Sequence, residues 1–255
     1  MEDFEFKKHL GQHFLLDREV IAKWLDAYPL KGKIVLEVGA GTGVVSVAIA
    51  MRKPKRLVCL EIDADAADKA RGRLTGFKKV EVVPTDVRHV PFEPYEVIVG
   101  AIPYYLSSYL VFKALDANKP CLFVVQKEFA KRMVGKPGTS DWGRLSLMAQ
   151  SRADVSYLFD ISRHSFVPQP EVDSAAVLLV PKKKPLGIHA GLATGLFSHK
   201  NQSVRKAFIH SASLLGLEKS SAKNVALPFS KKRVRELTMD DWVALSDAFR
   251  RSFPG

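Results

Sequence analysis

The chain has 255 residues, 47% of them apolar, enough for one α/β domain with a full core plus a smaller helical one. No apolar run approaches the ~20 residues that span a bilayer, and the N-terminal stretch has no apolar core and is too acidic for a transit peptide, so the cytoplasm is expected. Net charge is +12, and residues 181–255 carry 14 Lys/Arg against 5 Asp/Glu, which points to a polyanion, nucleic acid before membrane.

In chain order, short apolar runs mark strands at Ile34–Val38, Leu57–Glu61, Val80–Pro84, Val97–Gly100, Leu122–Gln126 and Ala175–Val180. Between them, Val44–Met51, Ala64–Leu74 and Leu106–Leu115 have helix-forming composition. Such alternation predicts a mostly parallel sheet covered on both faces, with ligands bound beyond the carboxyl ends of its strands. Cys59 and Cys121 fall inside apolar runs and read as buried, unpaired thiols. After the charged Pro181-Lys182-Lys183-Lys184-Pro185 linker the rhythm is helical, with helices over Leu192–Phe197, Val204–Leu215 and Asp240–Phe249, the last capped by Thr238.

The first strand runs into Glu37-Val38-Gly39-Ala40-Gly41-Thr42-Gly43. Glycines there let the backbone turn sharply and approach a ligand, and the G-x-G-x-G spacing favours an S-adenosylmethionine loop over a dinucleotide loop. A plain tight strand–helix connection is the competing reading. Glu61, closing the second strand, is placed to accept from two ribose hydroxyls, and Asp86, after the third, from an adenine amine. Asp63 reads as a helix N-cap. Neither a metal-ligand cluster nor a phosphate loop is visible.

Residues 100–105 read Gly-Ala-Ile-Pro-Tyr-Tyr. Methylation of an exocyclic base amine calls for an acidic or amide side chain, then Pro, then an aromatic. Carbonyls accept from the target N–H groups while the ring stacks on a base drawn out of its helix. Pro103 and Tyr104 meet that pattern; Ala101 stands where the amide should be.

With these features placed, the chain resembles the ribosomal RNA small-subunit adenine N6-dimethyltransferases, of the archaeal and eukaryotic kind. Lys7-Lys8-His9-Leu10-Gly11-Gln12-His13-Phe14-Leu15 is similar to the segment that closes over the cofactor in that family. Gln126-Lys127-Glu128-Phe129-Ala130-Lys131-Arg132, Gly143-Arg144-Leu145-Ser146 and Phe166-Val167-Pro168-Gln169-Pro170-Glu171-Val172-Asp173-Ser174 match further family motifs in the right order.

The resemblance implies a Rossmann-like S-adenosylmethionine-binding catalytic domain over residues 1–181 and a basic helical rRNA-binding domain over 182–255. It implies that His13, Leu15, Gly39, Gly41, Glu61, Asp86 and residue 101 contact the cofactor. Tyr104 and Phe166 would sandwich the flipped adenine, although Phe166 alone reads as a core aromatic. Arg205, Lys206, Lys231, Lys232 and Arg233 would hold rRNA phosphates, against the alternative of a solvated face.

The implied reaction is dimethylation of two adjacent adenosines in a hairpin loop near the 3′ end of small-subunit rRNA. A pre-small-subunit particle is the implied partner, and a monomer the implied state. Three accounts of Ala101 stand side by side: an introduced lesion, a natural change covered by another acceptor, or a binding-only assembly factor. The large-subunit rRNA methyltransferases share the Pro-Tyr turn and form a further alternative.

Overall fold

The structure, a computed structural model, describes residues 6, 7 and 11–253. Lys8, His9 and Leu10 of the N-terminal motif therefore lie outside the described residues. The chain separates into two compact units, one of residues through Ala130 together with Val155–Pro181, the other of Lys131–Asp154 with residues from Lys182 onward.

The first unit begins with β1 (Phe14–Leu15) and α1 (Arg18–Leu25), the latter capped by Asp17, whose carboxylate accepts from the Glu19 and Val20 N–H groups. Strand and helix then alternate: β2 (Ile34–Val38), α2 (Val44–Met51), β3 (Arg56–Glu61), α3 (Ala64–Leu74), β4 (Val80–Pro84), β5 (Val97–Ala101), α4 (Ser107–Asp116), β6 (Cys121–Gln126) and α5 (Lys127–Met133). After α6 (Arg144–Gln150), the strands β7 (Ala153–Ile161), β8 (Phe166–Val167) and β9 (Ser174–Pro181) finish the β structure.

The main sheet runs β4-β3-β2-β5-β6-β9-β7, and β9 lies antiparallel to β6. The pairs among β4, β3, β2, β5 and β6 are all parallel. Strands covered on both faces read as largely apolar runs, and Val35–Val38, Leu57–Glu61 and Cys121–Val125 are buried along their whole length, with Glu37 and Glu61 as the acidic exceptions. Cys59 and Cys121 are buried free thiols. Phe14–Leu15 and Phe166–Val167 form a separate two-stranded antiparallel ribbon, too short to announce itself in the sequence.

The second unit contains α7 (Ala190–Phe197), α8 (Val204–His210), α9 (Lys219–Asn224) and α10 (Met239–Ser252). Its core joins Phe208, Trp242, Leu245 and Phe249 with Trp142 and Leu147. That packing corrects the domain boundary read from the sequence. The linker after Pro181 is a true junction, but Lys131–Asp154 belongs with the helical unit because Trp142 and Leu147 bury their side chains there. The expected helix over Val204–Leu215 stops at His210, where Ser211 bonds the Gly195 carbonyl at 2.7 Å and the chain tightens into a 3₁₀ turn, Ser213–Leu215. Thr238 caps α10 as expected, accepting from the Asp241 N–H.

Candidate active site

The carboxyl ends of β2, β3, β5 and β6 open into a cleft of about 1110 Å³, counting its mouth. Open α/β sheets bind ligands at this edge. His13, Leu15, Gly39, Glu61, Asp86, Ala101, Pro103, Tyr104 and Phe166 all line it. Gly41 does not. A Cβ there would lie 2.6 Å from the Phe14 ring, its φ is +54°, and its N–H turns to Glu61. Gly41 therefore shapes the loop rather than the wall of the cleft.

Glu61 is buried, and its carboxylate holds the loop. Oε2 accepts from Gly41 N–H at 2.7 Å, and Oε1 from Asp63 N–H at 3.0 Å. Burial pushes this carboxyl up, against the two backbone donors that favour its charged form. Asp63 caps α3 through Asp65 N–H, and also receives Lys7 Nζ at 2.5 Å and Gln12 Nε2 at 2.7 Å. Burial opposes its ionisation, but the bonds from Lys7 and Gln12 outweigh it and hold the carboxyl below its usual range. The cap thus also ties the segment around Gln12 to the cofactor-side loop.

Under the glycine turn lies Glu37, fully buried, with Ser46 and Cys59 beside it but no hydrogen bond completed to either carboxylate oxygen. Burial pushes it up to about 7, so it is largely a neutral acid at slightly acidic pH. The Thr42 hydroxyl is buried without a partner, and Thr42 lines the cleft. Sequence reasoning passed over Glu37 and Thr42, although both sit in the glycine motif it singled out.

Asp86 reaches the cleft with its carboxylate occupied. Arg88 donates from Nη2 at 2.5 Å, from Nε at 2.9 Å and 3.1 Å, and from its backbone N–H at 2.8 Å. Those bonds hold the Asp86 carboxyl below the usual range. Arg88, absent from the sequence-based site, lines the cleft too.

Ala101 is the last residue of β5, paired with Val124 on β6. The turn that follows is held by Ile102 N–H to the Val124 carbonyl at 3.3 Å and Leu106 N–H to the Pro103 carbonyl at 3.0 Å. Tyr104 hydroxyl meets Ser174 Oγ at 2.8 Å, which fixes its ring against the sheet. The His13 ring lies 6.1 Å from it, centroid to centroid, with the planes 21° apart. His13 Nδ1 donates to the Pro168 carbonyl at 2.8 Å, which fixes the ring beside Tyr104. Phe166 pairs with Leu15 in the short ribbon and is only 4% exposed, so it is a core aromatic that also walls the cleft.

In the second unit, two basic clusters far apart in sequence become one surface. Val204 N–H bonds the Lys232 carbonyl at 2.9 Å, Arg205 N–H bonds the Ser230 carbonyl at 3.1 Å, and Ser203 bridges Arg233. Arg205, Lys206, Lys231 and Arg233 are exposed. Lys232 is different: its ammonium pairs with Asp241 at 2.6 Å and sits 5.7 Å from the Phe229 ring centroid. It helps to build the loop, and its charge is largely compensated.

A parallel sheet with a glycine turn after one strand, a buried acid closing the next and a Pro-Tyr turn after a third defines an S-adenosylmethionine-dependent methyltransferase fold. Residues 3–249 match the family model described as ribosomal RNA adenine dimethylase. The chain is 35% identical over 246 residues to the probable ribosomal RNA small subunit methyltransferase A of Pyrococcus abyssi, covering 94% of this chain and 91% of that one. A dimethyladenosine transferase from Plasmodium falciparum superposes with a TM-score of 0.82 at 27% identity, covering 94% and 98% of the two chains. The 23S rRNA methyltransferase ErmE superposes less closely, at 0.67 and 25% identity, over 92% and 98%.

The chain belongs to the ribosomal RNA adenine dimethylase family. Its cofactor is S-adenosyl-L-methionine. The cleft suits that molecule: Thr42 offers a buried hydroxyl without a partner, and Glu61 presents an anchored carboxylate at the mouth of the glycine loop.

Proposed function

We propose that this protein dimethylates N6 of two adjacent adenosines in a hairpin loop near the 3′ end of small-subunit rRNA, and that Ala101 slows the reaction. Most support comes from the convergence in one cleft of Glu61, Ala101, Pro103, Tyr104 and Phe166, which lie as much as 105 positions apart in the chain. Glu61 holds the cofactor's ribose, while Gly39 and Leu15 line its path. Asp86 serves the adenine amine only once Arg88 gives up part of its hold, since four hydrogen bonds from three Arg88 donors already occupy the carboxylate.

Bound S-adenosylmethionine supplies an electrophilic methyl group, so the protein needs no nucleophile of its own. Tyr104 and Phe166 take the flipped adenine between them. The adenine amine is a poor nucleophile, with its lone pair delocalised into the ring. Carbonyl acceptors on its two protons favour pyramidal nitrogen and aim the lone pair at the methyl group, so the rate comes from positioning. The Pro103 carbonyl already accepts from Leu106, which makes the Ile102 carbonyl the backbone acceptor of choice. The second acceptor is the one that Ala101 lacks.

A small-subunit target is favoured over a large-subunit one by the named relatives and by the closer superposition on the dimethyladenosine transferase than on the 23S enzyme. Pre-small-subunit particles in the cytoplasm are the corresponding substrate, with Arg205, Lys206, Lys231 and Arg233 as phosphate contacts. Ala101 itself favours one other reading, an assembly factor that binds pre-rRNA without modifying it.

Radiolabelled methyl transfer to unmethylated small ribosomal subunits, run with this chain and with Ala101→Asn, separates the two. Transfer by the Asn form at ~10²–10³ times the parent rate identifies a working site that lacks one acceptor. Equal rates sink the account of Ala101. Silence from both, with subunits still bound, favours the assembly factor.

A further inference from the structure

The Pro-Tyr turn does not end at the cleft. Tyr104–Leu106 is a 3₁₀ turn that runs straight into α4, so Tyr105, Tyr109 and Lys113, spaced by four, share one face of a continuous helical stretch. Tyr105 is 66% exposed and Tyr109 44%, values that a fold does not need from two large rings. Tyr105 stands at the cleft mouth, where Gly11 packs against it and a Cβ on Gly11 would lie 3.6 Å from its Cε1. Tyr109 lies one helical turn further from the cleft, about 6 Å along the axis.

Positive charge follows the two rings. Lys113 Nζ is pinned by the Val87 and Arg88 carbonyls, at 2.8 Å and 3.1 Å, and lies 5.6 Å from the Tyr109 ring centroid. The Arg88 side chain is 59% exposed and lines the cleft mouth with Tyr105. Exposed aromatic faces in sequence, with cations alongside, are what sequence-tolerant binding of single-stranded nucleic acid requires.

We propose that Tyr105 and Tyr109 form a stacking strip for the unpaired nucleotides flanking the target adenosine, with Lys113, whose ammonium meets only backbone carbonyls, supplying charge toward their phosphates. This rests on the rRNA-methyltransferase reading and extends it from the flipped base to its neighbours. A base drawn into the cleft pulls the adjoining nucleotides out of their stack, and the strip gives those bases a replacement surface at the point where the strand leaves the mouth. The recognition is of base faces, so it tolerates changes of sequence at those positions.

The test uses the full-length chain and an RNA hairpin whose loop holds two adjacent adenosines, with 2-aminopurine replacing the nucleotide on one side or the other. Binding of the parent is expected to quench the probe on one side, with Tyr105→Ala and Tyr109→Ala each weakening affinity by ~5–10²-fold and removing the quench. Tyr105→Phe and Tyr109→Phe keep the ring and are expected to keep both signals, which excludes a folding defect as the cause. Arg205→Ala with Lys206→Ala is expected to weaken binding without altering the quench. Unchanged affinity and quench in the alanine variants overturns the strip and leaves the rRNA reading intact. A parent chain that binds neither the hairpin nor unmethylated small ribosomal subunits overturns both. Concentration-dependent self-association lost in Tyr105→Ala and Tyr109→Ala would assign the strip to a second copy and overturn the nucleotide assignment.

Discussion

Glu61 Oε2 accepts the Gly41 N–H at 2.7 Å, across 20 residues of sequence. The acid that closes β3 thereby holds the glycine turn that follows β2. One side chain both shapes the loop and presents its remaining lone pairs to the cleft. Glu61→Gln keeps the size but turns one acceptor oxygen into a donor and removes the charge. Binding of S-adenosylmethionine by calorimetry is expected to weaken by ~10–10²-fold, the range for hydrogen bonds to a charged group.

Tyr104 is held by Ser174 at 2.8 Å, so ring and hydroxyl can be tested apart. Tyr104→Phe keeps the stacking face and loses one neutral hydrogen bond, about 1 kcal/mol of stability. In an Ala101→Asn background it should retain most methyl transfer. Tyr104→Ala removes the face and should lower transfer by ~10²-fold or more, through both binding and orientation. Equal loss in both variants would show that the hydroxyl, not the ring, matters.

The buried Glu37 makes stability depend on pH. Its carboxyl titrates near 7 in the fold against a usual value of 4.5. A raised carboxyl is most favourable to the fold while protonated, so its contribution is fully present below about 4.5 and is lost as pH rises through about 7. At about 1.4 kcal/mol for each pH step, the loss amounts to about 3 kcal/mol. Glu37→Gln removes the dependence, so urea unfolding should show the variant gaining on the parent by about that amount between pH 4.5 and 7.5. A constant difference across this range would mean that Glu37 stays charged.

Among the five basic residues read from the sequence, Lys232 is tied to Asp241 while Arg205 and Lys206 are exposed. Arg205→Ala with Lys206→Ala should therefore lower the slope of log affinity for rRNA against log salt by about 1.4–1.8. Lys232→Ala should change that slope little and instead cost stability, because Asp241 keeps its place in the α10 cap without its cation. Equal slope changes from the two sets would place Lys232 on the phosphates.

The central strands were legible because a strand covered on both faces reads as a largely apolar run, and the observed β2, β4, α2 and α3 match the expected spans residue for residue. Much of the cleft was legible as well, since the glycine turn, Glu61, Asp86 and the Pro-Tyr turn each follow a strand. What the pattern missed is short or nonlocal. The two-residue ribbon that joins Leu15 to Phe166 spans 151 positions and has no periodicity to read. The Arg88 clasp on Asp86 and the tie from Asp63 to Gln12 depend on side-chain reach, which spacing does not encode.

By itself the sequence determined the α/β order, the chemistry offered at each strand end, and the absence of an amide at position 101. Local apolar runs and turn residues dictate these directly. Only the tertiary structure decided that Lys131–Asp154 joins the helical unit, that two distant basic clusters form one surface, and that Gly41 serves the loop rather than the cleft wall. Each depends on which groups meet when the core closes, and burial of Trp142, the backbone bonds of Val204 and Arg205, and the Phe14 ring over Gly41 settle them.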